Sequence, residues 1–258
     1  MGIWESVVLG IVQGVCEFLP ISSSAHLVIL PWLFGWDYKG LDYDVALHMG
    51  TLCAVAIYFR KDFLSFVKPN FSARGFLSDE RLWKLALATL PAGLAGVLLE
   101  KTAESLFRSP VWMAVNLMLF ALLLAAADRC GKDEDAPLGY RQFFLIGCAQ
   151  ALSIMPGVSR SGITITAALF FGAARSRAAR ISFLLSVPVI LGAGLLEARN
   201  LKFAELGWDY AAGFASAGIS GWLAIAFLMD YVRNASYRIF VIYRLALGAT
   251  LLCMVFLR

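Results

Sequence analysis

Charge is scarce in this chain. Asp, Glu, Lys and Arg make up only 16% of its 258 residues, against about 25% in soluble domains. Hydrophobic residues take their place, at 60% of the total and a mean hydropathy of +0.75, which defines an integral membrane protein. A basic cluster interleaved with polar sequence is also lacking, and the net charge of +4 is modest. Nucleic acid is therefore excluded as a partner, and membrane lipids are expected instead. The cysteines, Cys16, Cys53, Cys130, Cys148 and Cys253, are odd in number and include no CxxC pair, which excludes a disulfide framework or a zinc site. They are expected as small buried hydrophobes in lipid-embedded helices. A cleavable signal is missing too: Glu5, Gly10, Gln13 and Glu17 interrupt what would be its apolar stretch, so the start of the chain is expected to be retained.

What is present is a set of apolar runs, two of them broken. The run from Ser6 to Leu19 is too short for the ~30 Å hydrocarbon core and stops at Pro20. After Ile21, Ser22, Ser23 and Ser24 a second short run extends from Ala25 to Phe34. Two half-helices around a polar break predict a re-entrant helical hairpin, tolerated at membrane depth only where protein or a cavity satisfies the irregular backbone. Three runs of spanning length follow, Leu41 to Phe59, Leu82 to Leu99 and Pro110 to Ala127. Between the first two, 60–81 reads as an interfacial loop or surface helix. The polar stretch 128–141 reads as the linker between two halves. The pattern then recurs, with a broken segment from Phe143 to Phe171 and runs near Ile181 to Ala198, Tyr210 to Met229 and Ile239 to Leu257. Gly213, Ala217 and Gly221, four residues apart, predict a close helix-packing face.

The predicted fold is an all-α polytopic membrane protein, a single integral membrane domain over 1–258. It has six transmembrane helices plus two re-entrant helical hairpins, with repeat one about 1–128 and repeat two about 140–258. The duplication is legible in the broken segments: Gly10, Gln13 and Gly14 precede Pro20 and its serines, and Gly147, Gln150 and Ala151 precede Pro156 and its serines, superposing with a one-residue gap. A hairpin returns to its starting side and three spans change sides, so the repeats are inverted and the hairpins meet from opposite leaflets. Fourteen Lys and Arg fall on the face holding 60–84, 129–141, 175–180 and 233–238, and six on the other. Both termini are therefore expected outside the cytoplasm.

The chemistry concentrates in the breaks. In PGVSRSGIT, Pro156 to Thr164, an arginine sits where a membrane would lie. Burying it costs at least ~2.5 kcal/mol, so Arg160 should face a partner or a water-filled cavity. Gln13 and Glu17 share a helix face, and a carboxylate at that depth must be protonated, paired or bound to metal. Ser22, Ser23 and Ser24 begin one half-helix, and Ser159, Ser161 and Thr164 begin the other. Taken singly each serine reads as a helix cap, but two facing N-termini beside Arg160 favour an anion, and the guanidinium fork suits phosphate. Magnesium or calcium held by Glu17 and phosphate oxygens would reconcile the acid with that anion. Ser23 and Ser24 are nucleophile candidates and His26 a base, acid or nucleophile. His48 reads as structural. Arg244 is expected to pair with an acid such as Glu17 or to reach toward the interface.

With these residues assembled, the chain resembles the undecaprenyl-diphosphate phosphatase family of bacterial membranes, the bacitracin-resistance type. QGVCEFLPISSSAH, Gln13 to His26, is similar to the family's (E/Q)xxxE motif and its serine-histidine segment; PGVSRSGIT is similar to PGxSRSxxT. Gln13 stands where many members have Glu, one carboxylate fewer, and Ala25 where Gly is common. The resemblance implies a multi-pass protein of the bacterial cell (inner) membrane that hydrolyses undecaprenyl diphosphate to the monophosphate and phosphate with Mg2+ or Ca2+, recycling the lipid carrier of peptidoglycan synthesis. It implies Glu17 as metal ligand or acid-base group, Ser23 or His26 as the attacking or activating group, and Arg160 as the diphosphate clamp. Gln13, Ser22, Ser24, Ser159, Ser161 and Thr164 complete the expected substrate site, and a homodimer is admitted as the assembly. The competing reading is an inverted-repeat transporter or flippase for an anionic substrate, which needs the anion site but neither acid nor nucleophile. An anion channel is weaker still, because Glu17 opposes conduction.

Overall fold

The computed structural model describes residues 2–37, 40–67, 79–107, 109–130, 137–197 and 207–257, and every regular element among them is helical. In the first half these are α1 (Ile3–Phe18), α2 (Ser23–Phe34), α3 (Leu41–Tyr58), α4 (Arg60–Val67), α5 (Glu80–Phe107) and α6 (Pro110–Cys130). The second half holds α7 (Tyr140–Ala151), α8 (Arg160–Phe170), α9 (Arg175–Glu197), α10 (Trp208–Asn234) and α11 (Arg238–Phe256). Five of them, α5, α6, α9, α10 and α11, contain stretches long and apolar enough to cross a bilayer. Large side chains such as Leu94, Leu98, Ile219 and Leu223 stand exposed on their outer faces, as lipid requires and water would penalise. The chain is a multi-pass membrane protein.

The expected crossing at 41–59 forms α3 but falls outside the set of five. Its 18 residues include Asp42, Asp44 and His48, and two of these turn out to serve the site. The linker expected from Asp128 starts later, because α6 continues to Cys130. Asp128 is buried rather than solvated: its carboxylate accepts from Arg175 Nε at 2.6 Å and from the Tyr237 backbone N–H at 3.0 Å. One carboxylate thereby ties the end of α6 to the starts of α9 and α11. Of the expected surface segment at 60–81, α4 accounts for the beginning and Asp79 to Arg81 for the end. Residues 68–78, like 131–136 of the linker, lie outside the described residues. The cysteine expectation holds only for Cys16, which is buried; Cys53, Cys130, Cys148 and Cys253 are free thiols on outer faces.

The two halves interlock. Helix α1 lies along α10 and α7 along α5, while α3 packs on both α9 and α10, and α6 on α11. The first two contacts are backbone-close for the same reason. A Cβ at Gly10 would strike the Gly213 carbonyl, and a Cβ at Gly147 the Ala88 carbonyl. Gly213, Ala217 and Gly221 line the α10 side of the α1 contact, the small-residue face expected from their spacing. Phe18, Phe183 and Phe59 fill the space under the first break, with the first two rings edge to face at 5.3 Å.

Candidate active site

Each broken segment turns by the same backbone device. Helix α1 ends at Phe18, one residue short of Leu19 and Pro20, and α2 restarts at Ser23. Helix α7 passes through a 3-10 turn at Leu152–Ile154, and α8 restarts at Arg160. The residue before each restart has positive φ, 74° at Ser22 and 71° at Ser159, and no other non-glycine among the described residues does. Such a conformation costs about 1–3 kcal/mol and persists only where its surroundings impose it. Both serines stand 137 positions apart, as do Gly10 and Gly147, Gln13 and Gln150, and Ser24 and Ser161. The repeat therefore superposes without the one-residue gap that aligning Pro20 with Pro156 demanded. In this register Ser23 is the counterpart of Arg160 and Ile154 that of Glu17.

Those two counterparts grip one carboxylate. Ser23 Oγ donates to Glu17 Oε2 at 2.6 Å, and Arg160 Nη2 donates to Oε1 at 2.5 Å. Gln13 Nε2 adds a bond to Oε2 at 3.1 Å, and His48 Nε2 lies 3.3 Å from the same oxygen. Glu17 itself is 5% exposed. Arg160 also donates from Nη1 to the Ser182 carbonyl at 3.0 Å, which aims its fork across the interface between the halves. Arg160 and Glu17 thus form a direct ion pair across the interface between the halves.

This cluster opens into a cavity of about 310 Å3 lined by Glu17, Ser22, Ser23, Ser24, Ser159 and Arg160. Asp44 and His48 of α3 close one wall, and Val189, Ile190 and Ala193 of α9 form an apolar one. The starts of α2 and α8 thus meet at a polar pocket, the arrangement that favours an anion. Ser22 and Ser24 hydroxyls lie 3.2 Å apart, and Ser159 and Ser161 repeat that spacing at 3.2 Å. Ser159 Oγ accepts from the Gly162 N–H at 3.1 Å, so it does cap α8; Ser22 makes no such side-chain cap on α2.

The other expected residues take supporting positions. Ser161 donates to the Leu19 carbonyl at 3.1 Å, joining the two breaks, and Thr164 Oγ1 lies 2.7 Å from Ser182 Oγ. His26 is not among the residues lining the cavity. Its Nδ1 lies 2.7 Å from the Ser22 carbonyl and its Nε2 2.6 Å from Tyr243 Oη, so both ring nitrogens are engaged in holding the turn. Arg244 neither pairs with an acid nor reaches the interface. Fully buried, it donates to the carbonyls of Leu117 at 3.1 Å, Pro20 at 3.4 Å, Gly157 at 3.0 Å and Val158 at 2.9 Å. The broken backbone of both hairpins leaves carbonyls without helical partners, and one guanidinium with five donors satisfies three of them. A Cβ at Gly162 would sit 2.8 Å from its Nη1.

Sequence reasoning missed His48 and Asp44 as site residues. They lie four apart at the start of an otherwise apolar helix, one face by helical spacing, and that signal was available. Ser182 and Tyr243 carried none, since each acts through packing of distant segments.

The donor set bears on a metal. Among the described residues no group of three or more His, Cys, Asp and Glu suited to hold one occurs. Two carboxylates, Glu17 and Asp44, do line the cavity, and Gln13 Oε1 is buried beside Glu17 without a hydrogen-bond partner. Oxygen ligands in that number fit Mg2+ or Ca2+ when substrate phosphates and water complete the shell.

These features define a class: a helical membrane protein whose two hairpins enclose a carboxylate, a serine and an arginine at an anion-suited cavity. The chain belongs to the bacitracin resistance protein BacA family, whose family model matches residues 6–250. It is 50% identical over 248 residues to an undecaprenyl-diphosphatase of Elusimicrobium minutum (strain Pei191), covering 96% of both chains. An undecaprenyl-diphosphatase of Moorella thermoacetica (strain ATCC 39073 / JCM 9320) is 46% identical over 260 residues, covering 100% of both. That of Pelotomaculum thermopropionicum (strain DSM 13744 / JCM 10971 / SI) is 44% identical over 253 residues, covering 96% of this chain and 95% of its own.

Proposed function

We propose that this chain is a membrane phosphatase that hydrolyses undecaprenyl diphosphate to undecaprenyl phosphate and inorganic phosphate. The carrying observation is one buried carboxylate, Glu17, held at once by Ser23 and Arg160 in the wall of the cavity. A transporter for an anion has use for Arg160 and the helix starts but none for a serine hydrogen-bonded to a buried carboxylate. The names of relatives that match the chain end to end support the same substrate.

In this reading the terminal phosphate enters between the starts of α2 and α8, where it takes over the Arg160 fork from Glu17. Glu17 accepts the proton of Ser23 Oγ, which attacks the terminal phosphorus; the Oγ–P bond forms as the bridging P–O bond breaks and undecaprenyl phosphate leaves. Water then cleaves the phosphoserine, releasing phosphate and restoring the hydroxyl. The geometry favours Ser23 over His26 as nucleophile, because Ser23 lines the cavity and His26 does not. Mg2+ or Ca2+, held by Glu17, Asp44 and Gln13 together with the diphosphate, would supply charge neutralisation.

We place α3 as a sixth crossing beside the five apolar ones, with α1–α2 and α7–α8 as re-entrant hairpins of an inverted repeat. The shared 137-residue register, the paired positive-φ serines and the exchanged contacts α1–α10 and α7–α5 support it. The excess of Lys and Arg on the 60–84 and 175–180 face then sets both termini outside the cytoplasm, with the cavity opening toward that outer side.

Purified protein should release phosphate from undecaprenyl diphosphate, lose that release with EDTA and regain it with Mg2+ or Ca2+. Release that survives both Glu17→Ala and Arg160→Ala unchanged would sink the assignment. A C-terminal reporter active only in the cytoplasm should stay silent; activity would overturn the orientation alone.

A further inference from the structure

A second cavity, of about 560 Å3, shares no lining residue with the first. Its walls carry five cationic side chains, Arg81 and Lys84 of α5, Arg177 and Arg180 of α9, and Arg233 of α10, with Asp62 of α4 among them. Its floor is apolar, including Leu85, Leu184 and Met229. Three candidate spans mark its depth: α5 and α9 begin here and α10 ends here, so it sits at one membrane surface. Helix α9 connects the two cavities, presenting Arg180 to this one and Ile190 to the other, ten residues and therefore about 15 Å apart along the helix. The hydrolytic site contributes nothing to this end of the molecule.

Some of the cations are already engaged. Arg180 pairs with Asp62, Arg81 with Asp79 at 2.6 Å, and Lys84 with Glu80 at 2.9 Å. Those pairs orient three of the heads at the cavity wall. A cluster of four guanidinium groups and an ammonium beside apolar side chains, where three spans begin or end, matches a phosphate whose attached chain remains in the bilayer.

We propose that this cavity is a binding site for a phosphate group, distinct from the hydrolytic site and at the opposite end of α9. The phosphate is either a lipid headgroup or free in solution. The ligand is held by the cationic heads of the wall, Arg177 and Arg233 among them, and is not a substrate for cleavage: Ser176 and Asp62 both line the cavity, but among the described residues they are not hydrogen-bonded to each other as Ser23 is to Glu17.

The test uses the full-length protein in phosphatidylcholine nanodiscs with and without phosphatidic acid, and native mass spectrometry to measure retained lipid. Phosphatidic acid should be retained by the wild type, and Arg177→Gln/Arg233→Gln should weaken retention on the order of tenfold or more, while phosphate release from undecaprenyl diphosphate stays at the wild-type rate. Arg177→Lys/Arg233→Lys, which keeps the charge, should restore most of the retention, and this pair tests the site should the glutamine variant fold poorly. Inorganic phosphate is the second arm. If it binds wild-type protein in pure phosphatidylcholine and the glutamine variant loses it, the free anion is the ligand; if only phosphatidic acid binds, the lipid headgroup is. Binding of neither probe overturns the proposal. So does an equal loss in Arg141→Gln/Arg238→Gln, which removes two cations outside the cavity and would reduce the effect to general surface charge.

Discussion

The two hairpins have one backbone and two chemistries. Each packs its first helix through a glycine onto a long helix of the other half, buries a glutamine three residues later, and breaks at a positive-φ serine. Yet at the first position after that serine one has Ser23 and the other Arg160, and only the first has a carboxylate, Glu17, where the second has Ile154. The shared backbone gives a pair of helix starts that face each other; differences at two positions bring an acid, a hydroxyl and a cation to one point. What the hairpins share shapes the pocket, and where they differ sets its charges.

Removing the asymmetry should have the largest effect. Glu17→Ala and Arg160→Ala should each lower phosphate release by on the order of 10²- to 10³-fold, the loss expected when one preorganised charge partner is removed. Because the two residues form one ion pair, the double variant should be little worse than either alone. Each single variant leaves a buried charge unpaired and should lose about 3–5 kcal/mol of stability, part of which the double variant recovers. Additive losses in rate and stability would mean the halves do not work as a unit.

The serines at the two helix starts sharpen the comparison next. Ser23→Ala should lower kcat about 10²-fold or more with KM little changed, whereas Ser159→Ala, in the other hairpin, should mainly raise KM. Equal kcat losses would remove the distinction between a reacting and a binding hairpin. His26→Ala should lower thermal stability more than kcat, since its contacts are with Ser22 and Tyr243 and not with the cavity; loss of chemistry with full stability would return it to the nucleophile's place.

A smaller effect attaches to α3. Asp44→Asn should raise the Mg2+ concentration needed for half-maximal activity by roughly tenfold, and an unchanged metal requirement would leave Glu17 and Gln13 as the protein's whole contribution. The smallest expected difference lies between the two strained serines. Ser22→Gly relieves its backbone and loses no cap, so the protein should gain about 1 kcal/mol of stability. Ser159→Gly relieves the same strain but surrenders the bond to Gly162, and the two should nearly cancel. Identical shifts in melting temperature would show the breaks to be equivalent after all.

Much of this was legible in one dimension. Membrane insertion, the helical class, the two broken segments and the residues Gln13, Glu17, Ser23 and Arg160 all follow from composition and local pattern, because lipid forces apolar runs and makes every polar break conspicuous. Helix spacing likewise announced the small-residue face of α10 before any partner was known.

Other features depended on which segments touch. The pairing of Arg160 with Glu17 joins residues 143 positions apart, and His26 meets a tyrosine 217 positions away. His48 was read as structural because its partner, Glu17, belongs to another helix. Arg244 was expected to seek an acid, but only the folded chain shows four carbonyls from three segments converging on it. The register of the repeat, too, was misplaced by its prolines until the positive-φ serines aligned it. Sequence by itself determined which groups must be hidden from lipid, since burial cost is a local property of each residue. Which groups they are hidden against, and so which of them can react, was decided by tertiary structure, because a hydrogen bond is a distance between atoms that the chain order does not contain.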